Sequence, residues 1–565
     1  MFHRPRFFGP NTILKKLTFE YYIITMRYHF ALLLLVVGFI SFGQNTVTRQ
    51  DTLRGSITPE RAWWDVLHYG IAVIPDYNTK TISGVVELKV KAIASGKRLQ
   101  IDLQEPMQLD KATMQVTNLT PVREGNVYYL DLPAEIAAGT EFSLSLHYSG
   151  KPREAKRAPW DGGWIWSKDA LGRPWMSVAC QGLGASVWFP CKDHQSDEPD
   201  EGALLTIIVP DTLVAVGNGK LIESKNVNDQ LKAFTWEVKN PINSYNIIPY
   251  IGKYVYWHEV YAGEVGDLGC DYWVLDYELE KAKEQFKQTQ RMLKCFEQWF
   301  GAYPFYEDGF KLVQSPHLGM EHQSAIAYGN GFKNGYLGSD LSQTGWGLKW
   351  DFILIHESGH EWFGNNITST DIADMWIHES FTNYSETIFT MCEFGLEAGN
   401  EYVIGTRKQI QNDIPIIGTY GVNKRGSGDM YYKGGNMIHT IRQLINDDEK
   451  FRMILRGLNE KFHHATVTTS QVEAYISQQA GINLTKVFDQ YLRHAQIPTL
   501  EYKVEKKKLY YRWTNSILGF DMPVKLQSGN WVKPKTEWQR IKNLTSLEVD
   551  RNFYISVKNV TIQSQ

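Results

Sequence analysis

His356-Glu357-Ser358-Gly359-His360, followed after eighteen intervening residues by Glu379, is the stretch on which the reading of this chain turns. Two histidines four apart on an α-helix share a face, because about 3.6 residues complete a turn. Their imidazoles can then grip one metal ion together. A helix is expected here: Trp350, Phe352, Ile353, Leu354 and Ile355 lead in, Trp362 and Phe363 continue it, and Gly364-Asn365-Asn366 supplies a stop. Glu379 lies in a second helical run that begins at Met375 and extends toward Gly395. Two nitrogens and one carboxylate oxygen leave a tetrahedral ion one open position, the arrangement of a hydrolytic zinc site. Glu357 is then the spare carboxylate, aimed at that position. The plain alternative is two surface histidines on a core helix, and the apolar flank argues against it. Asp374, Glu361 and Glu386 could orient a ligand imidazole from behind, but for any one of them a solvated face is the simpler expectation.

A chain of 565 residues is too long for one ordinary core and implies several domains. A formal charge of −3 leaves no electrostatic footprint for nucleic acid. Met26-Arg27-Tyr28-His29 followed by the apolar run from Phe30 to Phe42 has the make-up of a secretory signal, too short to span a bilayer. Cleavage is expected near Gly43–Gln44, with Met26 as the initiator and residues 1–43 as the signal region. Export to a periplasmic or external compartment follows, with no membrane span retained. Nothing in the sequence demands more than a monomer. The five cysteines, Cys180, Cys191, Cys270, Cys295 and Cys392, are too few and too odd for a disulfide framework. Cys180 and Cys191 are close enough in sequence to bridge, although isolated buried thiols are the expectation for all five, and none reads as a metal ligand.

From Trp63 to about Val255 apolar and polar residues alternate between turn formers, as in Gly84 to Ala92 and Phe142 to Leu146, which signals an antiparallel β domain. Helical periodicity begins at Leu279 and runs, through the metal motif, to about Leu492. Strand patterns return after Pro498. The expected order is an N-terminal antiparallel β domain over 45–270, an α-rich catalytic domain over 271–496 and a small C-terminal β domain over 497–565.

A second constellation, Leu318-Gly319-Met320-Glu321-His322, precedes the metal helix in a strand-like stretch running to Gly329. With the metal motif it resembles the Gly-x-Met-Glu-Asn signature of the aminopeptidase N family of gluzincin zinc peptidases, to which leukotriene hydrolase also belongs. The similarity extends to Asp65 to Tyr69, Trp188 to Asp193, Gly301 to Phe305 and Tyr431 to Gly434, and so spans most of residues 63–565. It implies a multidomain fold with a thermolysin-like catalytic domain, in a short form without the long C-terminal helical domain of larger relatives and hence with a more open site. It implies one zinc ion per chain on His356, His360 and Glu379, with Glu357 as general base and then acid. Tyr431, two before Lys433-Gly434, matches the family's oxyanion donor, with Tyr432 as its competitor. Glu321 would bind the α-ammonium of a peptide, assisted by Gln181 where relatives often place glutamate. The backbone of Gly319 and Met320 would pair with the extended substrate. His322 replaces the usual asparagine and reads as a hydrogen-bonded structural imidazole. The implied activity is removal of single residues from peptide N-termini. A thermolysin-like endopeptidase and a non-catalytic interaction module on a peptidase scaffold are the alternatives.

Overall fold

Alternation of apolar and polar residues builds the first half of the protein. In the computed structural model, residues 47–506, 508–541 and 546–561 are described; the expected signal region lies outside them. The strand Thr81–Ala92 buries every second residue from Val86 to Ala92, and with Trp64–Asp76 and Glu141–Gly150 it lies in the middle of an eight-stranded sheet. Trp64, Val66, Val86, Leu88, Val90, Leu144 and Leu146 are fully buried in its core, which a four-stranded sheet carrying Gly163–Lys168 and Pro174–Ala179 shares. One pairing departs from the antiparallel expectation. Trp64–Asp76 runs parallel to Ala203–Pro210, because these neighbours are joined by a long excursion and not by a hairpin.

The second half begins with a five-stranded mixed sheet. Its strands in chain order are β1 (Tyr254–Gly263), β2 (Gly266–Leu275), β3 (Phe310–Gln314), β4 (Gly319–Met320) and β5 (Ile326–Tyr328). In space the order is β1-β2-β3-β5-β4, which leaves the two-residue β4 at an edge. The boundary expected after residue 270 falls inside β2, which pairs with β3 across four residues. Strand alternation sets the expected boundary near residue 270, whereas the partner strand of β2 lies beyond the helices of residues 279–300.

Four helices carry the argument: α1 (Gln288–Phe300), α2 (Phe352–Gly359), α3 (Trp376–Phe394) and α4 (Tyr432–Ile445). The metal helix α2 ends sooner than its apolar pattern suggests. Phe363 (φ −127°, ψ 97°) and Gly364 (φ +129°) leave helical geometry, and the carbonyl of Phe363 is thereby turned toward His360. Helix α3 is buried on all sides from Trp376 to Thr390 although half of that stretch is polar. Such burial is costly unless each polar group is bonded. Ser380 Oγ donates to Met430 O (2.6 Å), Ser385 Oγ to Thr382 O (2.6 Å), and His378 Nε2 accepts from Ser369 N (2.8 Å).

Cys295 of α1 and Cys392 of α3 form a disulfide, with Cα atoms 6.1 Å apart. This corrects the expectation of five isolated thiols: Cys180, Cys191 and Cys270 are free and buried, and the bridged pair is separated by 97 residues. Helix packing, invisible to sequence spacing, brings the two together. The last strands form a four-stranded sheet of Thr499–Glu505, Lys508–Thr514, Gln539–Ile541 and Ser556–Asn559. Its Leu500, Leu509 and Trp513 share one core with Phe488 and Tyr491 of the helix Thr485–Leu492. From Gln50 onward the chain is a single compact unit.

Candidate metal and substrate site

Helical spacing on α2 sets His356 and His360 side by side, with ring centroids 5.1 Å apart. Each ring is held from behind by its Nδ1. His356 Nδ1 donates to Glu386 Oε1 at 2.7 Å, and His360 Nδ1 donates to Phe363 O at 3.0 Å. Both Nε2 atoms are thereby turned toward Glu379, where each imidazole in its neutral form can offer a lone pair. Glu379, from the first turn of α3, brings Oε2 to 3.8 Å from His356 Nε2 and 3.5 Å from His360 Nε2. That oxygen is buried and has no hydrogen-bond partner. A buried, bare carboxylate oxygen facing two imidazole nitrogens is the donor set of a divalent cation. Glu357 belongs to the same cluster, its carboxylate and the two imidazoles offering atoms within 4.8 Å of one another.

The charges respond to this crowding. Burial opposes ionisation of Glu379, yet the imidazoles of His360 and His356 hold its carboxyl well below the usual carboxylate range. Burial pushes Glu357 up to about 7, with His356 and His360 pulling the other way. Burial also raises Glu321.

Glu321 follows edge strand β4, whose hairpin with β5 pairs Gly319 with Tyr328 and Met320 with Ala327. Its Oε1 accepts from Gln181 Nε2 at 2.5 Å and from the hydroxyl of Tyr245 at 3.0 Å. Asn365 Nδ2 fixes the backbone by donating to Glu321 O at 2.8 Å. The Gln181 amide therefore spends its N–H on Glu321 and keeps its oxygen as an acceptor. At Gly319 the absence of a side chain leaves Glu357 its position: a Cβ there would lie 2.6 Å from Glu357 Oε1, so the carboxylate would have to shift.

All nine residues singled out from sequence, namely His356, Glu357, His360 and Glu379, then Glu321 and Gln181, then Gly319, Met320 and Tyr431, line one cavity of about 400 Å³. Tyr431 stands at the N-terminus of α4 with its ring stacked at 6.1 Å on His356. Tyr432 does not reach the cavity and faces the neighbourhood of Glu386 and Tyr336. His322 is buried behind the strand, its Nδ1 2.5 Å from the hydroxyl of Tyr250.

Three carboxylates expected on solvated faces are instead buried. Glu386 holds His356 while accepting from Tyr402 (2.6 Å) and Asn383 (3.1 Å). Glu361 accepts from Ser324 N (2.9 Å) and Tyr303 (3.2 Å), and Asp374 from Thr469 and Tyr420, both at 2.6 Å. Sequence reasoning also passed over Tyr245, which braces Glu321, and Arg153, Arg425 and the exposed Trp160 at the cavity wall. For Glu386 a signal existed: it lies seven residues beyond Glu379, two helical turns along the same face.

The peptidase family M1 domain model matches residues 284–491, and the peptidase M1 N-terminal domain model matches residues 66–246. The chain is 21% identical over 446 residues to leukotriene A-4 hydrolase of Xenopus laevis, covering 74% of this chain and 68% of that protein. It is 25% identical over 329 residues to aminopeptidase B of Rattus norvegicus, covering 54% of this chain and only 46% of the relative. Among solved structures, it is similar to a mutant M1 zinc metallopeptidase of Deinococcus radiodurans bound to a Tyr-Ser-Ala substrate. There the TM-score is 0.65 at 20% identity, over 79% of this chain and 98% of that one.

Proposed function

The chain belongs to peptidase family M1, and from that premise we propose that it is a zinc-dependent aminopeptidase that hydrolyses the first bond of peptides with a free N-terminus. His356, His360 and Glu379 would hold one zinc ion, and their free Nε2 atoms and bare carboxylate oxygen fit it. When bound, such an ion supplies Lewis acidity toward water and toward the scissile carbonyl. Glu357, a buried carboxylate with its pKa pushed up to about 7, takes a proton from the attacking water and passes it to the departing amine nitrogen. Burial keeps the Tyr431 hydroxyl protonated far above neutral pH, so it serves as donor to the oxyanion that develops on the carbonyl.

The observation that carries the exopeptidase reading is the position of Glu321, a buried carboxylate in the same cavity as the metal donors. Oxygens of Glu321 and Gln181 form an acceptor pair suited to an ammonium group. The extended substrate would add to β4, whose outer edge is open to the cavity. The test compares a peptide with its N-acetylated copy. We expect the free peptide alone to be cut, and Glu321→Gln to lower kcat/KM at least ~30-fold, the equivalent of about 2 kcal/mol for a charge-assisted bond. An enzyme that cuts both copies equally would be an endopeptidase.

We infer further that the protein is exported. The apolar run 30–42 is the argument, and the Cys295–Cys392 bond supports it, because disulfides persist in oxidising compartments. No helix among the described residues is long and apolar enough to cross a membrane. N-terminal mass analysis of the mature protein tests the reading, and a first residue upstream of Ala31 refutes it.

A further inference from the structure

One charged wall of the cavity is used by neither hydrolysis nor amine recognition. Residues 419–426 fold into a tight turn closed by a bridge between Thr419 and Lys424, with Thr419 N donating to Lys424 O at 3.0 Å. The flanks of the turn cross so closely that a Cβ at Gly418 would lie 2.1 Å from Lys424 O, and one at Gly426 1.9 Å from Ile416 O. Three more bonds pin it. Tyr420 donates to Asp374 Oδ1 (2.6 Å), Gly421 N to Asp371 Oδ2 (2.8 Å), and Asn423 Nδ2 to Gly182 O across the cleft (2.8 Å). Arg425 is thus presented by a backbone with little freedom, and it lines the cavity beside Tyr431 and Glu379. Burial raises the Tyr431 hydroxyl, and Arg425 is the positive charge that opposes it there.

Arg153, the other arginine at the wall, spends Nη2 on Asp161 O at 3.1 Å. Arg425 makes no hydrogen bond or ion pair among the described residues, although Glu321, Glu357 and Glu379 line the same cavity. An exposed guanidinium on a pinned backbone and without a partner is complementary to a ligand carboxylate, which it can bind bidentately. At about 400 Å³ the cavity lies toward the small end of small-molecule sites, whose usual range is ~300–1,000 Å³. An extended chain advances about 3.5 Å per residue, so a peptide of two or three residues carries its two charged ends roughly 7–10 Å apart, a span such a cavity accommodates.

We propose that Arg425 binds the α-carboxylate of short peptides, so that di- and tripeptides with both termini free are the preferred substrates. The proposal rests on the aminopeptidase reading and narrows its substrate class. The test uses an alanine dipeptide, an alanine tripeptide and their C-terminal amides, assayed with the zinc-loaded wild type, Arg425→Gln and Arg425→Lys. The same pairs are titrated calorimetrically into Glu357→Gln protein, with and without Arg425→Gln. We expect the wild type to favour each acid over its amide by about tenfold in kcat/KM, carried by KM, with a matching ratio in Kd. In Arg425→Gln both ratios should fall to within about twofold, Arg425→Lys should lie between, and the preference should fade for longer peptides. Equal handling of acid and amide by the wild type overturns the proposal, as does an acid preference that survives in Arg425→Gln. Cleavage of N-acetylated copies as fast as free peptides overturns the aminopeptidase reading and this proposal with it, a result distinct from either of those.

Discussion

At Gly319 a single missing methyl group makes room for the Glu357 carboxylate. A Cβ at this position would stand 2.6 Å from Glu357 Oε1 and 2.8 Å from Ile353 Cγ2. Gly319→Ala is therefore expected to lower kcat about 100-fold by displacing that carboxylate, with circular dichroism unchanged; normal turnover would show that the glycine is not needed for space. Glu386 is a second case, because it anchors the far nitrogen of His356 at 2.7 Å. Glu386→Ala should weaken zinc binding about 10–100-fold in a chelator competition, and an unaltered affinity would remove it from the metal site. These two residues also mark how far sequence reaches. His356, Glu357, His360 and Glu379 were legible because metal chemistry and helical period constrain them together. Tyr245 and Gln181 touch Glu321 from residues 76 and 140 positions away; Gln181 was found through a resemblance, and Tyr245 through nothing in the sequence. Contacts made by tertiary packing leave no local period to read.

The elements show the same division. Helix α2 was visible from its apolar lead-in, but its end was misplaced, since Trp362 and Phe363 are as apolar as the residues before them and the break is made by backbone angles. Its start is fixed by Asp351, whose Oδ1 accepts from Leu354 N (3.2 Å) and Asn330 Nδ2 (2.8 Å) while Oδ2 accepts from Tyr328 (2.6 Å) and Gln285 (2.7 Å). That carboxylate ties the metal helix to β5, and so to the hairpin bearing Glu321. Asp351→Ala loses the cap and strands the buried hydroxyl of Tyr328, so a loss of about 2–4 kcal/mol is expected in urea unfolding. Helices α1 and α3 are joined by the Cys295–Cys392 bond. Cys392→Ser should cost about 2–4 kcal/mol, as closing a long loop implies, and dithiothreitol should reproduce that loss in the wild type and add nothing in the variant.

At the scale of the molecule, the boundaries expected from strand and helix patterns do not separate independent bodies, because apolar residues of the last sheet complete the core of the catalytic helices. His439 on α4 sits in that junction. Its Nδ1 meets the Tyr384 hydroxyl at 3.0 Å and its Nε2 meets Asn552 Oδ1 at 3.0 Å. Burial pushes the imidazole down to about 3, against 6.5 in the unfolded chain. The unfolded state therefore takes up a proton that the folded state refuses. The stability tied to His439 is whole above pH ~6.5 and is lost as pH falls from there toward ~3. Between pH 7.5 and 5.5 the wild type should lose about 1.4 kcal/mol more than His439→Asn in urea titrations; parallel curves for the two proteins would refute this.

The cleft itself has divided parentage. Every proposed metal donor and the base lie between His356 and Glu379, whereas the groups steadying Glu321 include Gln181 and Tyr245 from the N-terminal β region. On the proposed function, the choice of which bond is broken thus draws on both stretches of the chain, since Glu321 is braced by Gln181 and Tyr245. Substitutions at Gln181 or Tyr245 are then expected to change which peptides are cut while leaving the proposed metal donors in place.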